Sequence, residues 1–268
     1  MSARHGERAP AIRVLALTKA YSGTLALDNV SFDVAAGEFL AVLGPSGAGK
    51  TTLFRCLTRL VKPDAGQVLI NGRPLHALEG RQLREVRRDI GLIFQQFNLI
   101  RRMTAVENVL AGRLGVVPTW RVLLRRFSVQ DRQSALAALD RVGLLAQAYQ
   151  RADRLSGGQQ QRVAIARALM QQSQCVLADE PVASLDPESA ASVLATLRAI
   201  AHEQHIAVVC SLHQVDLATA FADRIIGLQA GRLVADVRAI TLSSEEHARI
   251  YRAELLVGPQ SVQPSEVR

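Results

Sequence analysis

The sequence predicts an α/β fold built around a mainly parallel sheet. Four short apolar runs indicate the strands, because they are rich in Leu or β-branched residues and lack polar alternation, as strands buried on both faces do. Segments with helical spacing lie between these runs, and such alternation of strands and helices is typical of α/β domains. The predicted strands are Phe39–Leu43, Ile90–Phe94, residues 175–178 and residues 206–212.

Residue spacing and a start signal indicate two of the helices. A leucine face follows Thr51 and consists of Leu53, Leu57 and Leu60. Asp186 followed by Pro187 predicts a helix start, because Asp is a favoured N-cap and Pro fits the first helical position. The apolar face of that helix comprises Val193, Leu194, Leu197 and Ile200.

The remaining segments predict two further units and a tail. Residues 12–34 and 67–71 are strand-like, so we expect a small antiparallel sheet near the N-terminus. Residues from about 96 to 172 contain no convincing buried strand, and we interpret them as a helical subdomain inserted into the α/β core. We therefore predict one domain over residues 10–250, followed by a C-terminal tail over residues 251–268 that is rich in Pro, Ser and Gln.

Composition excludes several classes of protein. With 268 residues, 49% hydrophobic and 21% charged, the chain is unlike disordered, collagen-like or coiled-coil sequences. No apolar stretch approaches the roughly 18 residues of a membrane span. We see no secretion signal, and three cysteines are too few for a disulfide framework or a zinc site. The net charge of +8 fits either an Arg-rich solvated surface or contact with an anionic partner, and charge alone does not decide between them.

Residues 44–51 match the phosphate-loop pattern G-x-x-x-x-G-K-[ST] between an apolar strand and a helix. Glycines let the backbone curl so that its N–H groups point at phosphate oxygens, and the helix N-terminus adds positive potential. Lys50 is then expected to reach the β- and γ-phosphates, and the Thr51 hydroxyl to ligate Mg²⁺. The expected nucleotide-binding residues here are Gly44, Pro45, Ser46, Gly47, Ala48, Gly49, Lys50, Thr51 and Thr52.

Two carboxylates, Asp179 and Glu180, follow the third apolar run. Alone, an apolar run followed by Asp and Glu is common, and an ordinary exit from a strand into a loop would be the better interpretation. Together with a phosphate loop, Asp179 at the strand end predicts a Mg²⁺ ligand, acting directly or through water. Glu180, one residue later, is then placed to polarise the water that attacks the γ-phosphate.

A second glycine-rich helix start comprises Ser156, Gly157, Gly158 and Gln159. It reads as an anion-binding nest or as an ordinary N-cap with a turn. Leu155 with these four residues forms LSGGQ, and QQRVAIARAL follows. This run resembles the signature of ATP-binding cassette (ABC) proteins, which other phosphate-loop enzymes lack. The resemblance implies a P-loop NTPase core of the ABC ATPase type and covers residues from about 12 to 240.

The resemblance also implies roles for residues that carry no specific signal of their own. Gln95 resembles the glutamine that senses Mg²⁺ and the attacking water, although it also reads as a solvated loop amide. His213 resembles the histidine that contacts the γ-phosphate, and Tyr21 the aromatic ring that stacks on adenine, although a half-buried Tyr in a small sheet is nearly as plausible. The run Ser184-Leu185-Asp186 resembles the D-loop, which lies across a dimer interface in this family.

One expectation does not depend on the resemblance. Each of the four apolar runs ends at a chemical residue or loop: the phosphate loop, Gln95, the Asp179–Glu180 pair, and His213. In a parallel sheet the carboxyl ends of strands share one edge, which is where ligands bind in open α/β sheets. We therefore expect these four groups to converge on one site.

The family resemblance implies ATP hydrolysis in a composite site. Mg²⁺ would be held by Thr51, Gln95 and Asp179, and catalysis would rest on Glu180, His213 and Gln95. Ser156 to Gln159 of one subunit would cover the ATP held by Lys50 of a second copy. Since the chain carries one of each motif, we expect a homodimer that ATP closes and hydrolysis releases.

Finer features resemble the ATPases of phosphonate importers. They are an insert containing residues 111–115, Pro118, Thr119, Trp120, Arg121, Leu123 and Leu124, together with residues 209–227. The resemblance implies separate membrane permease subunits docked near Phe97–Ile100 and Met103–Val109, an indirectly acting substrate-binding protein, and a peripheral location at the cytoplasmic face of the bacterial inner membrane. The insert is also consistent with a solvated helical hairpin. Its arginines, at positions 113, 121, 125 and 126, could instead lie near lipid headgroups.

Three other functions remain open from the sequence. The cargo is expected to be phosphonate, but phosphate, phosphite, another small anion or a polar amino acid would require the same ATPase. A soluble ABC ATPase acting on nucleic acid would usually carry tandem cassettes or long coiled-coil insertions, and neither occurs here. A non-catalytic cassette would lack Glu180 or His213, and both are present.

Overall fold

The computed structural model describes residues 9–118 and 127–256, of which residues 252–256 are described by backbone alone. The insert residues Thr119, Trp120 and Arg121, with those at positions 123–126, lie outside the described residues, as does the predicted tail beyond position 256. No helix in the described ranges is long and apolar enough to span a membrane.

The small N-terminal sheet is antiparallel, as predicted. Its strands are β1 (Ile12–Tyr21), β2 (Thr24–Val34), β4 (Ala65–Ile70) and β5 (Arg73–Pro74), in the order β2-β1-β4-β5. Strand β1 pairs with both β2 and β4, so it forms the middle of the sheet.

The second sheet has six strands and is mainly parallel, as predicted. They are β3 (Phe39–Leu43), β6 (Ile90–Phe94), β7 (Cys175–Asp179), β8 (Ala207–Ser211), β9 (Arg224–Gln229) and β10 (Arg232–Arg238). Their order is β10-β9-β3-β8-β7-β6, and only β10 is antiparallel to its neighbour. The hairpin of β9 and β10 was not among the predicted strands.

Eight α-helices are assigned in the described ranges. They are α1 (Lys50–Leu57), α2 (Gly80–Arg88), α3 (Ala105–Leu110), α4 (Val129–Arg141), α5 (Gly157–Met170), α6 (Pro187–Gln204), α7 (Val215–Phe221) and α8 (Ser244–Leu256). The predicted cap of α6 is confirmed, because the Asp186 carboxylate accepts a hydrogen bond of 2.9 Å from the Ser189 amide. The leucine face of α1 is shorter than predicted: Leu60 lies beyond the helix and is exposed, since Arg59 adopts a left-handed backbone with φ 58°.

Strand β3 is buried on both faces and separates two apolar cores. Phe39, Ala41 and Leu43 pack into one core with α5 and α6, whereas Leu40 and Val42 pack into the other with α1. Full burial of a Leu or Phe side chain contributes about 1.5–3 kcal/mol, so this strand is anchored from both sides. The phosphate-loop segment therefore leaves a rigid strand.

Helices α3, α4 and α5 pack against one another in the segment interpreted as a helical subdomain. The described residues of this segment form no regular strand, and only an isolated bridge joins Thr104 to Arg151. Helix α8 continues to Leu256, so the structure is helical for six residues of the segment predicted as a tail. Ile250 of this helix is fully buried, which accounts for the ordered chain there.

The three cysteines are buried and free; Cys175 and Cys210 lie in apolar runs of the sequence, where small buried apolar side chains are expected. Burial raises the pKa of Cys56 to about 11 and that of Cys175 to about 12. Burial also raises the pKa of Cys210. The thiols are therefore protonated at neutral pH and unsuited to nucleophilic chemistry.

Candidate active site

The carboxyl ends of four neighbouring strands meet at one edge of the six-stranded sheet. In the register, Phe94 pairs with Asp179, Asp179 with Ser211, and Ser211 with Val42. Adjacent strands lie about 4.8 Å apart, so the residues that follow these ends are close neighbours. The structure thus brings the phosphate loop, Gln95, the Asp179–Glu180 pair and His213 to one edge, as the sequence predicts.

The phosphate loop is held tightly against neighbouring backbone. A Cβ on Gly44 would overlap the carbonyl oxygen of Leu228, and a Cβ on Gly49 would overlap that of Ala26. Gly49 also has a φ of 106°, a conformation that side chains other than glycine rarely adopt. Only glycine fits at these two positions, so the motif's first and last glycines are required by packing.

Lys50 is enclosed by the loop that precedes it. Its side chain is 5% exposed, and its Nζ donates hydrogen bonds to the carbonyl oxygens of Gly44 at 2.5 Å and Pro45 at 3.2 Å. Ser46 and Gly47 at the loop tip are exposed, as is Thr51 in the first turn of α1. The loop therefore presents its tip to solvent with a lysine ammonium group beneath it.

Asp179 and Glu180 are joined through a residue that the sequence analysis missed. The hydroxyl of Ser211 donates to Asp179 Oδ1 at 2.8 Å, and the Ser211 Oγ atom accepts a hydrogen bond of 2.8 Å from the Glu180 amide. Burial raises the pKa of Asp179, and the hydrogen bond from Ser211 opposes that shift. A lone hydroxyl inside the apolar run 206–212 was the sequence signal for Ser211.

Glu180 and His213 are in direct contact. The Nε2 atom of His213 lies 2.6 Å from Glu180 Oε1, and Glu180 has a φ of 51°. A cavity of about 110 Å³ adjoins the pair and includes Val182, Ala183, Ser211, Leu212 and Leu217 in its lining. The Tyr251 hydroxyl donates to the carbonyl oxygen of His213 at 3.2 Å, so α8 supports this loop.

The signature residues form the start of α5. Ser156 is the N-cap: its hydroxyl accepts from the Gln159 amide at 3.3 Å, while the Gln159 side chain accepts from the Ser156 amide at 2.9 Å. Gly157 faces Leu185 and Phe97, and Gly158 lies against Ser189. Ser156 is exposed, so this helix start is open to a partner molecule.

Two predicted site residues stand apart from these contacts. Gln95 is exposed at the end of β6. Tyr21 is exposed at the end of β1, with the Lys19 Nζ 5.3 Å from its ring centroid. Their predicted roles therefore depend on a bound nucleotide.

The donors predicted for a metal fit Mg²⁺ in their chemistry. Thr51, Gln95 and Asp179 offer a hydroxyl, an amide oxygen and a carboxylate, the hard oxygen ligands that Mg²⁺ prefers. Burial raises the pKa of Asp179, and the positive charge of Lys50 partly opposes that rise, so the carboxylate and the lysine of the phosphate loop are close enough to interact. Among the described residues no group of three His, Cys, Asp or Glu side chains is arranged as a metal site. A magnesium ion here would therefore take most of its ligands from water and phosphate oxygens.

Two polar side chains of α5, one fully buried and one half-buried, were also missed. The Gln161 side chain of α5 is fully buried, and neither its Oε1 nor its Nε2 has a hydrogen-bond partner among the residues that the structure describes. Arg167, on the same helix, donates to the carbonyl oxygens of Asn98 at 2.6 Å and Phe97 at 3.3 Å, and burial lowers its pKa. Neither residue could be singled out in sequence, because both occupy helical positions with ordinary composition.

Comparisons with known proteins found similar sequences over most of the chain. The family model for the ABC transporter matches residues 27–183. The chain is 50% identical to the phosphonates import ATP-binding protein PhnC 1 of Rhodopseudomonas palustris, over 91% of this chain and 90% of that protein. It is also 48% identical to the hypophosphite import ATP-binding protein HtxD of Stutzerimonas stutzeri, over 90% of this chain and 71% of that protein.

Solved structures of similar fold include ATP-binding cassettes. One is a dimeric cassette in a post-hydrolysis state bound to ADP and Pi, with 35% identity, a TM-score of 0.72, and coverage of 85% of this chain and 98% of that one. Another is cbiO1 from Clostridium perfringens, part of the ABC transporter complex cbiONQ, with 26% identity, a TM-score of 0.78, and coverage of 92% and 96%.

Proposed function

The chain belongs to the ABC transporter family as an ATP-hydrolysing subunit, and from that premise we propose that it drives phosphonate import through separate permease subunits. The observation that carries the proposed site is the convergence of four strand ends on one sheet edge, with Glu180 and His213 in contact there. The sequence identity to phosphonate import proteins over nine-tenths of the chain supports phosphonate as the cargo.

In the proposed reaction the protein positions the γ-phosphate and stabilises its charge. Lys50 exchanges its loop carbonyls for the β- and γ-phosphates, and the loop amides of residues 44–51 bind the phosphate oxygens. Glu180 orients the attacking water and accepts its proton. His213 holds the Glu180 carboxylate and contacts the γ-phosphate, while Gln95 completes the enclosure and Tyr21 stacks on adenine.

Thr51, Gln95 and Asp179 would hold Mg²⁺ in this site. When bound, the ion neutralises charge on the β- and γ-phosphate oxygens. The chain's own contribution is to keep the Asp179 carboxylate fixed at the end of β7, where Ser211 binds one of its oxygens.

We propose that the active form is a homodimer. The exposed Ser156 and the start of α5 would cover the nucleotide held by Lys50 of a second copy, so each site needs residues from both chains. A chain with one phosphate loop and one LSGGQ segment fits this arrangement, and a dimeric cassette is among the similar structures.

We propose a groove between α2 and α5 as the docking surface for the permease; the residues that line it include none from Phe97–Ile100 or Met103–Val109, the segments that the sequence implied. Its volume is about 510 Å³, and its wall includes the small or apolar residues Leu92, Gly112, Leu114 and Val116. Arginines 84, 87, 88 and 167 also line it, and within the described ranges none of them pairs with a carboxylate. We propose that an amphipathic permease helix carrying acidic residues docks here, and that the subunit works at the cytoplasmic face of the bacterial inner membrane.

The second candidate cargo is a smaller phosphorus oxyanion. The 48% identity to a hypophosphite import protein favours it, because the ATPase does not itself contact the cargo in this proposal. A substrate-binding protein that delivers the cargo to the permease would determine which of these compounds is imported. We propose no nucleic-acid partner.

The test is ATP turnover in a reconstituted complex. The chain is purified with its permease in lipid vesicles, and turnover is measured with binding protein loaded with phosphonate, hypophosphite or phosphate, or with DNA instead. The proposal predicts stimulation by the phosphonate-loaded protein above the other additions. Stimulation by DNA alone, or by none of the loaded proteins, would contradict it.

A further inference from the structure

We propose that Ser211 is a positioning residue of the hydrolytic site, holding Asp179 and Glu180 in register with each other. This inference rests on the proposed hydrolysis at that site. It concerns a hydroxyl that touches neither nucleotide nor water in the proposed reaction and acts only through its two neighbours.

The hydrogen bonds of Ser211 leave its hydroxyl no alternative orientation. Its one proton is donated to Asp179 Oδ1, and its oxygen accepts the Glu180 amide, each at 2.8 Å. Ser211 is fully buried, so no water competes for either bond. A buried hydroxyl with both partners satisfied has one defined position, which it transmits to both residues.

The bond to Glu180 fixes a backbone conformation that is otherwise unfavourable. Glu180 has a φ of 51°, in the left-handed region that costs a residue with a Cβ roughly 1–2 kcal/mol. The Glu180 amide donates to the Ser211 hydroxyl oxygen, so this hydrogen bond helps to offset that cost. The conformation matters because it aims the Glu180 side chain, whose Oε1 lies 2.6 Å from His213.

The bond to Asp179 distinguishes its two carboxylate oxygens. Ser211 occupies Oδ1, and no hydrogen bond to Oδ2 is found among the described residues. The carboxylate therefore keeps one oxygen for a ligand while the other is held by the sheet. Partners of this kind, which orient a ligating carboxylate, typically change metal affinity or activity by about 10–100-fold when removed.

Strand register explains why a single residue performs both tasks. Ser211 is the last residue of β8 and pairs directly with Asp179, the last residue of β7. His213 follows two positions later, so the end of β8 contacts the Glu180 backbone and the loop after β8 contacts its side chain. The backbone amide and the side-chain carboxylate of Glu180 are thus both held by the neighbouring strand β8 and the residues that follow it.

The experiment compares Ser211→Thr with Ser211→Val, which have the same shape and differ in the hydroxyl. We expect Ser211→Val to lower kcat by about 10–100-fold with little change in the KM for ATP, and Ser211→Thr to retain activity. A second readout needs no turnover: the Mg²⁺ concentration that gives half of the thermal stabilisation by a non-hydrolysable ATP analogue. We expect this Mg²⁺ concentration to rise about tenfold or more in Ser211→Val but not in Ser211→Thr.

Hydrogen exchange of the Glu180 amide gives a direct structural readout. We expect about tenfold faster exchange in Ser211→Val than in the parent chain, because the amide loses its acceptor. If the larger side chain of Ser211→Val prevents folding, Ser211→Ala, which adds no bulk, is used in its place. Equal kcat, equal Mg²⁺ dependence and equal exchange in the Thr and Val variants would overturn the role of Ser211. Absence of ATP turnover in the parent chain would instead overturn the proposed function, while the exchange comparison would still decide the hydrogen bond.

Discussion

Glu180 Oε1 lies 2.6 Å from Nε2 of His213, although the two residues are 33 positions apart in the chain. The contact spans two parallel strands, since Glu180 follows β7 and His213 follows β8. A carboxylate and an imidazole in hydrogen-bonding contact can share and relay a proton, as general acid–base catalysis requires. The pair is therefore the part of the site where the structure most directly constrains mechanism.

Replacement of His213 tests that pair. We expect His213→Ala to lower the ATPase rate by about 100-fold or more, because the carboxylate loses its orienting partner, while ATP binding is retained. The matched control is His202→Ala: His202 also contacts a carboxylate, that of Asp223, but it lies outside the site. Steady-state ATPase assays and nucleotide titration measure the two quantities. Equal rates in both variants would exclude a catalytic contribution from His213.

Replacement of Lys50 tests the phosphate loop. Lys50→Ala removes the ammonium group that the loop encloses, so we expect weaker ATP binding by about 10-fold or more, since hydrogen bonds to charged groups contribute roughly 1.5–3 kcal/mol. Lys62→Ala is the control, because Lys62 is exposed away from the loop. Isothermal titration with ATP makes the comparison. Unchanged affinity in the Lys50 variant would remove the loop from nucleotide binding.

Ser156→Arg tests the composite site. The bulky cation at the exposed start of α5 should block closure of two subunits while leaving ATP binding by one subunit intact. Loss of the N-cap costs about 1 kcal/mol of helix stability by itself, so Ser156→Ala, which loses the cap without adding bulk, serves as the control. Light scattering with ATP and ATPase assays provide the readouts. Normal dimerisation of the Arg variant would count against a closure that involves α5.

Gln161→Met is expected to stabilise the fold. The Gln161 amide is fully buried and has no hydrogen-bond partner within residues 9–118 and 127–256. Each such group costs about 1–3 kcal/mol, whereas Met is apolar and of similar length. Gln160→Met is the control on the same helix, because it removes a hydrogen bond of 2.9 Å to the Leu155 carbonyl oxygen. Chemical denaturation should show a higher free energy of unfolding for the first variant and none of that gain for the second. A loss of stability in Gln161→Met would show that the amide is satisfied in solution.

Local signals account for what the sequence predicted well. The apolar runs of β3, β6, β7 and β8 are continuous in sequence, and the phosphate loop lies within eight consecutive residues. Both can therefore be recognised without knowledge of tertiary contacts. Parallel strands share an edge, and this general rule was enough to predict the convergence of their ends.

The features that escaped prediction depend on distant contacts. Ser211 binds residues more than 30 positions away, and only the register of β7 and β8 shows that it meets Asp179. The strand β9 pairs in parallel with β3, which lies far upstream. The helix face after Thr51 was extended to Leu60 because spacing alone does not show the left-handed turn at Arg59.

The most direct test of the account is the oligomeric state of Glu180→Gln with Mg²⁺ and ATP. The amide cannot accept the proton of the attacking water, so hydrolysis should stop while both ATP molecules stay bound between two copies of the chain. Light scattering should then report a dimer that the parent chain forms only transiently, and Glu203→Gln, an exposed change on α6, should behave like the parent. A stable nucleotide-bound dimer with two ATP per pair is the predicted result. A monomer at saturating ATP, or hydrolysis at the parent rate, would contradict the account.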